Sequence, residues 1–326
     1  MVTGHLITTR RPVIAIVGPT AIGKSRIGIR VAKQLQTEIL TADSRQVFRE
    51  MDIGTDKPGL AEREGVPHRL IDLVNPDQPF NAGDFREAAI AEISRLHQSG
   101  RLPLVIGGTG LYIRTLLRGL CPGPPADWSL RQQMAEEAKR HGPQYLFNKL
   151  QRVDPVMAQR LHPNDQPKIQ RALEVYALSG KPFSQIQAEH RFVDDTYPYL
   201  LIGLTMDRPT LYKRIDDRVE LEIEKGLIHE TRQLLNRGYA RELGSMKGLG
   251  YKQFSGYIAG DYPYEEAVRI LKRDTRHFAK RQMTWFAKEP GIHWVSIEPP
   301  DIPDRAAALI IDRITQFCSA LSADSQ

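Results

Sequence analysis

The chain has 326 residues, 41% of them hydrophobic and 26% charged, which suits a soluble globular protein of two lobes or a core with an insertion. No apolar run approaches the ~18 residues that span a bilayer, Met1–Arg11 lacks the apolar centre of a secretory signal, and Cys121 and Cys318 have no zinc-site or redox spacing. A reducing cytoplasm is therefore expected. The 45 Lys and Arg outnumber the 39 Asp and Glu and leave a net charge of +6, a moderate bias towards a polyanionic partner.

The apolar run 13–17 (Val-Ile-Ala-Ile-Val) reads as a buried strand. It leads into Gly18-Pro19-Thr20-Ala21-Ile22-Gly23-Lys24-Ser25, the spacing of a phosphate-binding P-loop. Glycines let several N–H groups converge on one anion, Lys24 adds a mobile charge, and Ser25 offers a hydroxyl to Mg²⁺. The helix that follows, expected over 23–36, points its positive dipole end at the same phosphates. Further strands are expected at 38–42, 69–74 and 103–106, with a helix over 82–98 capped by Asn81. Short, nearly continuous apolar strands of this kind suit a parallel sheet covered on both faces.

The pattern changes after Cys121-Pro-Gly-Pro-Pro125. Only helical periodicity follows, at 128–140, 143–151, 155–161, 166–178 and 182–190. A strand at 199–204 resumes the α/β pattern, with helices at 209–225, 227–236, 251–259 and 264–288, a strand at 293–297 and a last helix over 303–320. The tail 322–326 should fray. The predicted fold is α/β: a P-loop NTPase-like parallel sheet with helices on both faces and an all-helical insertion. Its expected parts are a core over 11–121, a polyanion-binding insertion over 122–196 and the completion of the core over 197–322.

The second strand ends in Asp43-Ser44-Arg45-Gln46. In a doubly wound sheet the carboxyl ends of neighbouring strands line one crevice, so Asp43 should lie beside the P-loop. There it would take a proton from an acceptor or hold Mg²⁺ through water; the alternative is that it merely caps the following helix. The strand at 103–106 leads into Gly107-Gly108-Thr109-Gly110, which places the Thr109 hydroxyl on the same edge. A nucleotide hydrolase normally has an acidic residue at such a strand end. Its absence suggests a loop that grips a diphosphate leaving group. Arg214 and Arg218, four apart on one helix face, would balance phosphate charge, or else pair with Asp216 and Asp217 in a solvated face.

Three basic patches lie elsewhere: Lys168 to Arg171, Lys247 to Lys252, and the helix carrying Arg269, Arg273, Arg276 and Lys280 at one helical spacing. In that helix Ile270, Phe278, Trp285 and Phe286 provide apolar area. A basic stripe opposite a buried face suits contacts with a nucleic-acid backbone, against the alternative of a merely solvated face.

Taken in order, these motifs resemble the tRNA dimethylallyltransferase family. Besides the P-loop and Asp43–Gln46, they include Met51-Asp-Ile-Gly-Thr-Asp-Lys-Pro58, Pro67-His-Arg-Leu-Ile-Asp72 and Gly107-Gly-Thr-Gly-Leu-Tyr112. His162-Pro-Asn-Asp165, Arg171-Ala-Leu-Glu-Val-Tyr176, Gly250-Tyr-Lys252 and Ala279-Lys-Arg-Gln-Met-Thr-Trp285 complete the set. The resemblance implies transfer of a dimethylallyl group from dimethylallyl diphosphate to N6 of the adenine just 3′ of a tRNA anticodon. It implies a diphosphate cradle at Thr20 to Ser25, and tRNA contacts at Asp43, Ser44, Arg45, Gln46, Thr109 and Arg131. Further contacts are implied at Pro167, Lys168, Ile169, Gln170, Arg171, Lys247, Gly248, Leu249, Gly250, Tyr251 and Lys252. No Cys/His zinc finger of the eukaryotic type is present, so the shorter bacterial form is expected, acting as a monomer and away from membranes.

In that reading Asp43, Thr109 and Arg218 are catalytic, Mg²⁺ sits at Ser25 and Asp43, and Arg273, Arg276 and Lys280 touch the tRNA. The competing readings are a P-loop small-molecule kinase with Asp43 as base, an isopentenyltransferase acting on free adenine nucleotides, and a P-loop RNA-binding module without chemistry.

Overall fold

The computed structural model describes residues 11–121, 123–142, 144–190, 197–298 and 302–323. The expected domain boundaries at 122 and 196 and the last residues of the fraying tail lie outside them. The chain divides into two compact units, residues 1–117 with 195–326, and residues 118–194.

The first unit is built on β1 (Val13–Val17), whose five apolar residues are buried on both faces and which therefore takes the interior of the sheet. Its neighbours are β4 (Leu104–Gly107) and β5 (Tyr199–Thr205); β2 (Ile39–Ala42) and β3 (His68–Arg69) lie beyond β4, and β6 (Ile292–Ser296) lies beyond β5. The order is β3-β2-β4-β1-β5-β6, with every pairing parallel. Ile14 and Ile16 point to a cluster shared with α1 (Lys24–Leu35), while Val13, Ala15 and Val17 face α2 (Ala82–Gln98) and α3 (Gly110–Arg118). Asn81 caps α2 in a capping box with Asp84.

The second unit consists, among its described residues, of helices only: α4 (Trp128–His141), α5 (Tyr145–Val153), α6 (Pro155–Arg160), α7 (Gln166–Ser179) and α8 (Phe183–His190). Their core gathers Met134, Leu146, Leu150, Met157, Ile169 and Leu173. Asp127 caps α4 through the Leu130 N–H, and Asp154 caps α6 through the Met157 N–H while also bonding Ser184.

The first unit resumes with α9 (Arg208–Glu224), α10 (Leu227–Asn236), α11 (Tyr251–Ile258), α12 (Tyr264–Phe286) and α13 (Ile302–Ala323). Pro303–Ala323 is long and apolar enough to cross a membrane by length and composition, contrary to expectation. Its Ala307, Ile310, Ile314 and Cys318 are buried in the cluster with α1, so one face of the helix packs on the core.

Two expectations change. The strand at 69–74 shrinks to β3, because Leu70 (φ 63°) and Asp72 (φ 55°) adopt left-handed conformations that no strand continues through. Pairing returns only as a parallel bridge between Phe48 and Val74. Helix α3 is an addition to the expected elements; it starts directly on the glycine turn, and the Thr109 carbonyl accepts from the Ile113 N–H at its start.

Gly107 lies opposite Val17 on one side and Ala42 on the other, where a Cβ would stand 2.0 Å from the Ala42 carbonyl oxygen. Gly107→Ala is expected to lower the unfolding free energy by about 1–3 kcal/mol. Gly244→Ala, where a Cβ would meet nothing, should stay within about 0.5 kcal/mol of wild type. Urea denaturation of both variants checks this; equal midpoints would contradict it.

Candidate functional site

The in-register pairing of Val17, Gly107 and Ala42 makes β1, β4 and β2 end together. Gly18, Gly108 and Asp43, the next residues of each strand, therefore leave the sheet side by side at its carboxyl edge. Gly18 (φ 155°), Ala21 (φ 62°) and Gly23 (φ 102°) bend the P-loop into the N-terminus of α1. Ile22 is buried in the core, so it offers the crevice its backbone alone.

Two side chains from distant helices brace this loop. Gln282 of α12 accepts from the Thr20 N–H (2.8 Å) and donates to the Gly108 carbonyl (2.9 Å), tying the P-loop to the end of β4. Arg218 of α9 donates to the Thr20 hydroxyl (2.7 Å) and pairs with Glu222 (2.6 Å) and Asp56 (3.2 Å). Burial alone would lower the Arg218 pKa, but the Glu222 and Asp56 carboxylates outweigh it and the net shift is upward. Gln282, Asp56 and Glu222 were not singled out by sequence, although Gln282 and Asp56 lie inside quoted motifs.

Lys24 donates to the Pro19 carbonyl of its own loop (2.8 Å). Burial of its ammonium lowers its pKa to about 8, partly offset by Asp43. The Asp43 carboxylate accepts from the Arg45 N–H (2.8 Å) and the Gln46 N–H (3.3 Å), both on Oδ1, so it closes a turn; the helix it was expected to cap as the alternative does not form. Oδ2 takes part in neither bond. The Thr109 hydroxyl accepts from the Ser44 N–H (2.9 Å), which joins the turns after β2 and β4.

Other expected residues are placed differently. Gln46 is buried and donates to the carbonyls of Thr55 and Asp56, and Arg45 donates to the Gly244 carbonyl (2.6 Å). Arg214 makes no bond to the P-loop; its Nη1 is buried without a partner among the described residues. Burial and the nearby Arg26 lower its pKa. The expected Arg-Asp face does not form on α9, because Asp217 pairs with Lys213 and Asp216 with Arg276 of α12.

In the turn 247–252, Lys247 and Lys252 are exposed, Leu249 is half-buried, and Gly248 and Gly250 are buried. Tyr251 is core: its ring is buried and its hydroxyl donates to Glu230 (2.6 Å). On α12, Arg269, Arg273 and Arg276 each meet a carboxylate, from Glu266, Asp274 and Asp216. The stripe is thus less positive than its spacing implies. Lys280 is exposed beside His277, Arg281, Thr284, Trp285, Lys288 and Arg114 around a cavity of about 700 Å³.

In the second unit Pro167 and Lys168 are exposed, Gln170 and Arg171 are half-buried, and Ile169 belongs to the core. Arg131 and Arg171 converge on one fully buried carboxylate, Glu174, at 2.8 and 2.5 Å.

Residues 46–289 match the family model described as IPP transferase. The tRNA dimethylallyltransferase 2 of Geotalea uraniireducens is 51% identical over 282 residues, covering 86% of this chain and 91% of the relative. Among solved structures, the full-length tRNA isopentenylpyrophosphate transferase of Bacillus halodurans superposes with a TM-score of 0.73 at 38% identity, over 97% of this chain and 99% of its own. A eukaryotic dimethylallyltransferase acting on tRNA gives a TM-score of 0.80 at 28% identity, over 94% and 80% of the two chains.

The lowered Lys24 pKa sets a pH dependence for anion binding. Neutral Lys24 attracts diphosphate less, so affinity for inorganic diphosphate should be full below pH about 8 and fall above it, by up to about tenfold per unit. Lys24→Arg should remove the fall at that pH. Calorimetric titration across pH 6.5–9.5 (about one and a half units either side of the Lys24 value) checks both, and a wild-type affinity flat through pH 8 would contradict the assignment.

Proposed function

This chain belongs to the tRNA dimethylallyltransferase family, and on that premise we infer that it moves a dimethylallyl group from dimethylallyl diphosphate to N6 of adenine 37, beside the tRNA anticodon. The observation that carries the reading is the side-by-side exit of the P-loop, Asp43 and Thr109 from three strand ends in register. The P-loop backbone, Lys24 and Arg218 take the diphosphate, with Arg214 as a further cation at its edge. Dimethylallyl diphosphate gives up its C1–O bond as N6 forms a bond to C1, and the diphosphate leaves with the electron pair. An allylic carbon suits this step because positive charge spreads over it as the bond breaks.

The adenine amine is a poor nucleophile, since its lone pair is delocalised into the ring. Asp43 receives the proton that N6 loses, and Thr109 orients the reacting groups. Arg218, already charged and aimed at Thr20, stabilises the departing diphosphate without having to reorganise. Ser25 directly and Asp43 through a water would hold Mg²⁺, a hard cation that suits oxygen donors, which leaves Asp43 Oδ2 to accept the N6 proton. When bound there it would supply additional charge for the leaving diphosphate. The acceptor base leaves its stack to reach the crevice. Arg131 and the segment Pro167–Arg171, Lys247 and Lys252, and Arg273, Arg276 and Lys280 hold the RNA. The enzyme acts as a cytoplasmic monomer.

Incubation with radiolabelled dimethylallyl diphosphate and either bulk tRNA, AMP or no acceptor tests this reading. Label should enter tRNA alone; label in AMP, or ATP-dependent turnover of a small molecule, would overturn it. Asp43→Ala should slow single-turnover transfer by about 10²–10⁴-fold at saturating substrates while tRNA affinity changes little. Wild-type chemistry with only weaker Mg²⁺ affinity would remove Asp43 from the base role.

Neutralising Arg273, Arg276 and Lys280 together should weaken tRNA binding and lower the slope of log affinity against log salt by about one for each phosphate left without its cation. Arg273 and Arg276 already have carboxylate partners, so the change should fall short of three. Coincident slopes in a folded triple variant would free this helix of any RNA contact.

A further inference from the structure

Trp128 opens α4 with 62% of its surface exposed, an unusual position for the largest apolar side chain. The Arg131 guanidinium stands 5.1 Å from the centre of its ring, and much of the ring remains open to water.

The backbone on either side of this indole is held. Glu174 accepts from the Asp127 N–H (2.8 Å), and Asp127 in turn caps the Leu130 N–H (2.9 Å). Arg131 cannot swing away, because its fork is bidentate to the same Glu174 at 2.8 and 2.9 Å. Its own carbonyl accepts from Gln170 (2.6 Å). Glu174 has no exposed surface and also receives Arg171 (2.5 Å), so one buried carboxylate orients two cations around the base of the ring. Asp127 and Glu174 balance Arg131 and Arg171, so the ring stands among paired charges with the Arg131 guanidinium lying against it.

An exposed aromatic ring on a held backbone, backed by a guanidinium, is what a stacked base requires. Resting on the RNA-binding reading above, we propose that Trp128 is a stacking platform for an unpaired base of the tRNA substrate. In this arrangement Arg131 lies on the opposite face of the indole and Glu174 is the positioning residue that holds the assembly. Stacking is indifferent to base identity, so the platform adds affinity and fixes the register of the RNA without reading sequence.

The experiment uses the full chain and an anticodon stem-loop RNA, with affinities measured across a salt series. Trp128→Ala should weaken binding by about 5- to 150-fold, the loss of one base stack, with an unchanged salt slope because every phosphate keeps its cation. Trp128→Phe should retain most of the affinity. The KM for dimethylallyl diphosphate should stay at the wild-type value in both. Independently of folding in the alanine variant, RNA should quench the fluorescence of wild type more than that of Trp128→Phe, since Trp285 and Trp294 remain in each.

Wild-type affinity in Trp128→Ala overturns the proposal, including the case in which the variant has instead lost self-association and the ring is a protein contact. A salt slope reduced by one, or a loss shared in full by Trp128→Phe, also overturns it. A wild-type chain that binds no RNA would bring down the underlying reading itself, and that result is distinct from all of these.

Discussion

Three parallel strands can end in register only if their backbones approach closely, and Gly107 is where that condition bears hardest. It lies between Ala42 and Val17 with no room for a side chain. Everything at the crevice inherits its position from this contact. The P-loop, the Asp43 turn and the Thr109 turn follow from strands that have already been aligned, and the Ser44–Thr109 and Gln282–Gly108 bonds then lock the turns to one another. Gly108 is under a similar constraint, since a Cβ there would meet the Gln282 amide at 2.3 Å.

The electrostatics of the crevice rest on the same packing. Lys24 is enclosed deeply enough to lose part of its hold on its proton, whereas Arg218, equally enclosed, is kept charged by Glu222 and Asp56. The two cations thus play different parts. Arg218 is a standing charge with its geometry preset, while Lys24 bonds its own loop carbonyl and is free to exchange that bond for a ligand oxygen. Fixed dipoles and charges in a water-poor site act more strongly on a departing anion than the same groups would in solvent.

Much of this was legible in the sequence because local patterns decide it. Apolar runs gave the interior strands, and the glycine spacing gave the P-loop and its helix. What escaped has no local signature. The left-handed residues Leu70 and Asp72 ended a run that looked like a continuous strand. Gln282 meets Thr20 across 262 positions of chain, a pairing visible only once α12 has packed beside the sheet. Tyr251 reads as an aromatic among lysines, yet its burial and its bond to Glu230 follow from how α10 and α11 pack. The charge of α12 was overestimated partly for the same reason, since Asp216, which neutralises Arg276, comes from another helix. Glu266 and Asp274, which pair with Arg269 and Arg273, lie within α12 itself.

The absence of a carboxylate at the end of β4 shapes the chemistry available to this fold. In a P-loop hydrolase an acidic strand end helps to organise metal and water against the terminal phosphate. Here that place is taken by Gly107, Gly108 and Thr109, and the Thr109 hydroxyl is committed to the Ser44 backbone. Asp43, at the end of β2, is the first of two carboxylates whose charge acts on Lys24; the other, Asp56, is paired with Arg218. In the proposed role of Asp43, a base displaced towards the neighbouring strand serves an acceptor entering from the side, whereas an in-line water would need one facing the phosphate. The phosphate grip is retained and the reacting bond moves outward, from phosphorus–oxygen to carbon–oxygen, which is how a nucleotide-binding architecture becomes suited to prenyl transfer.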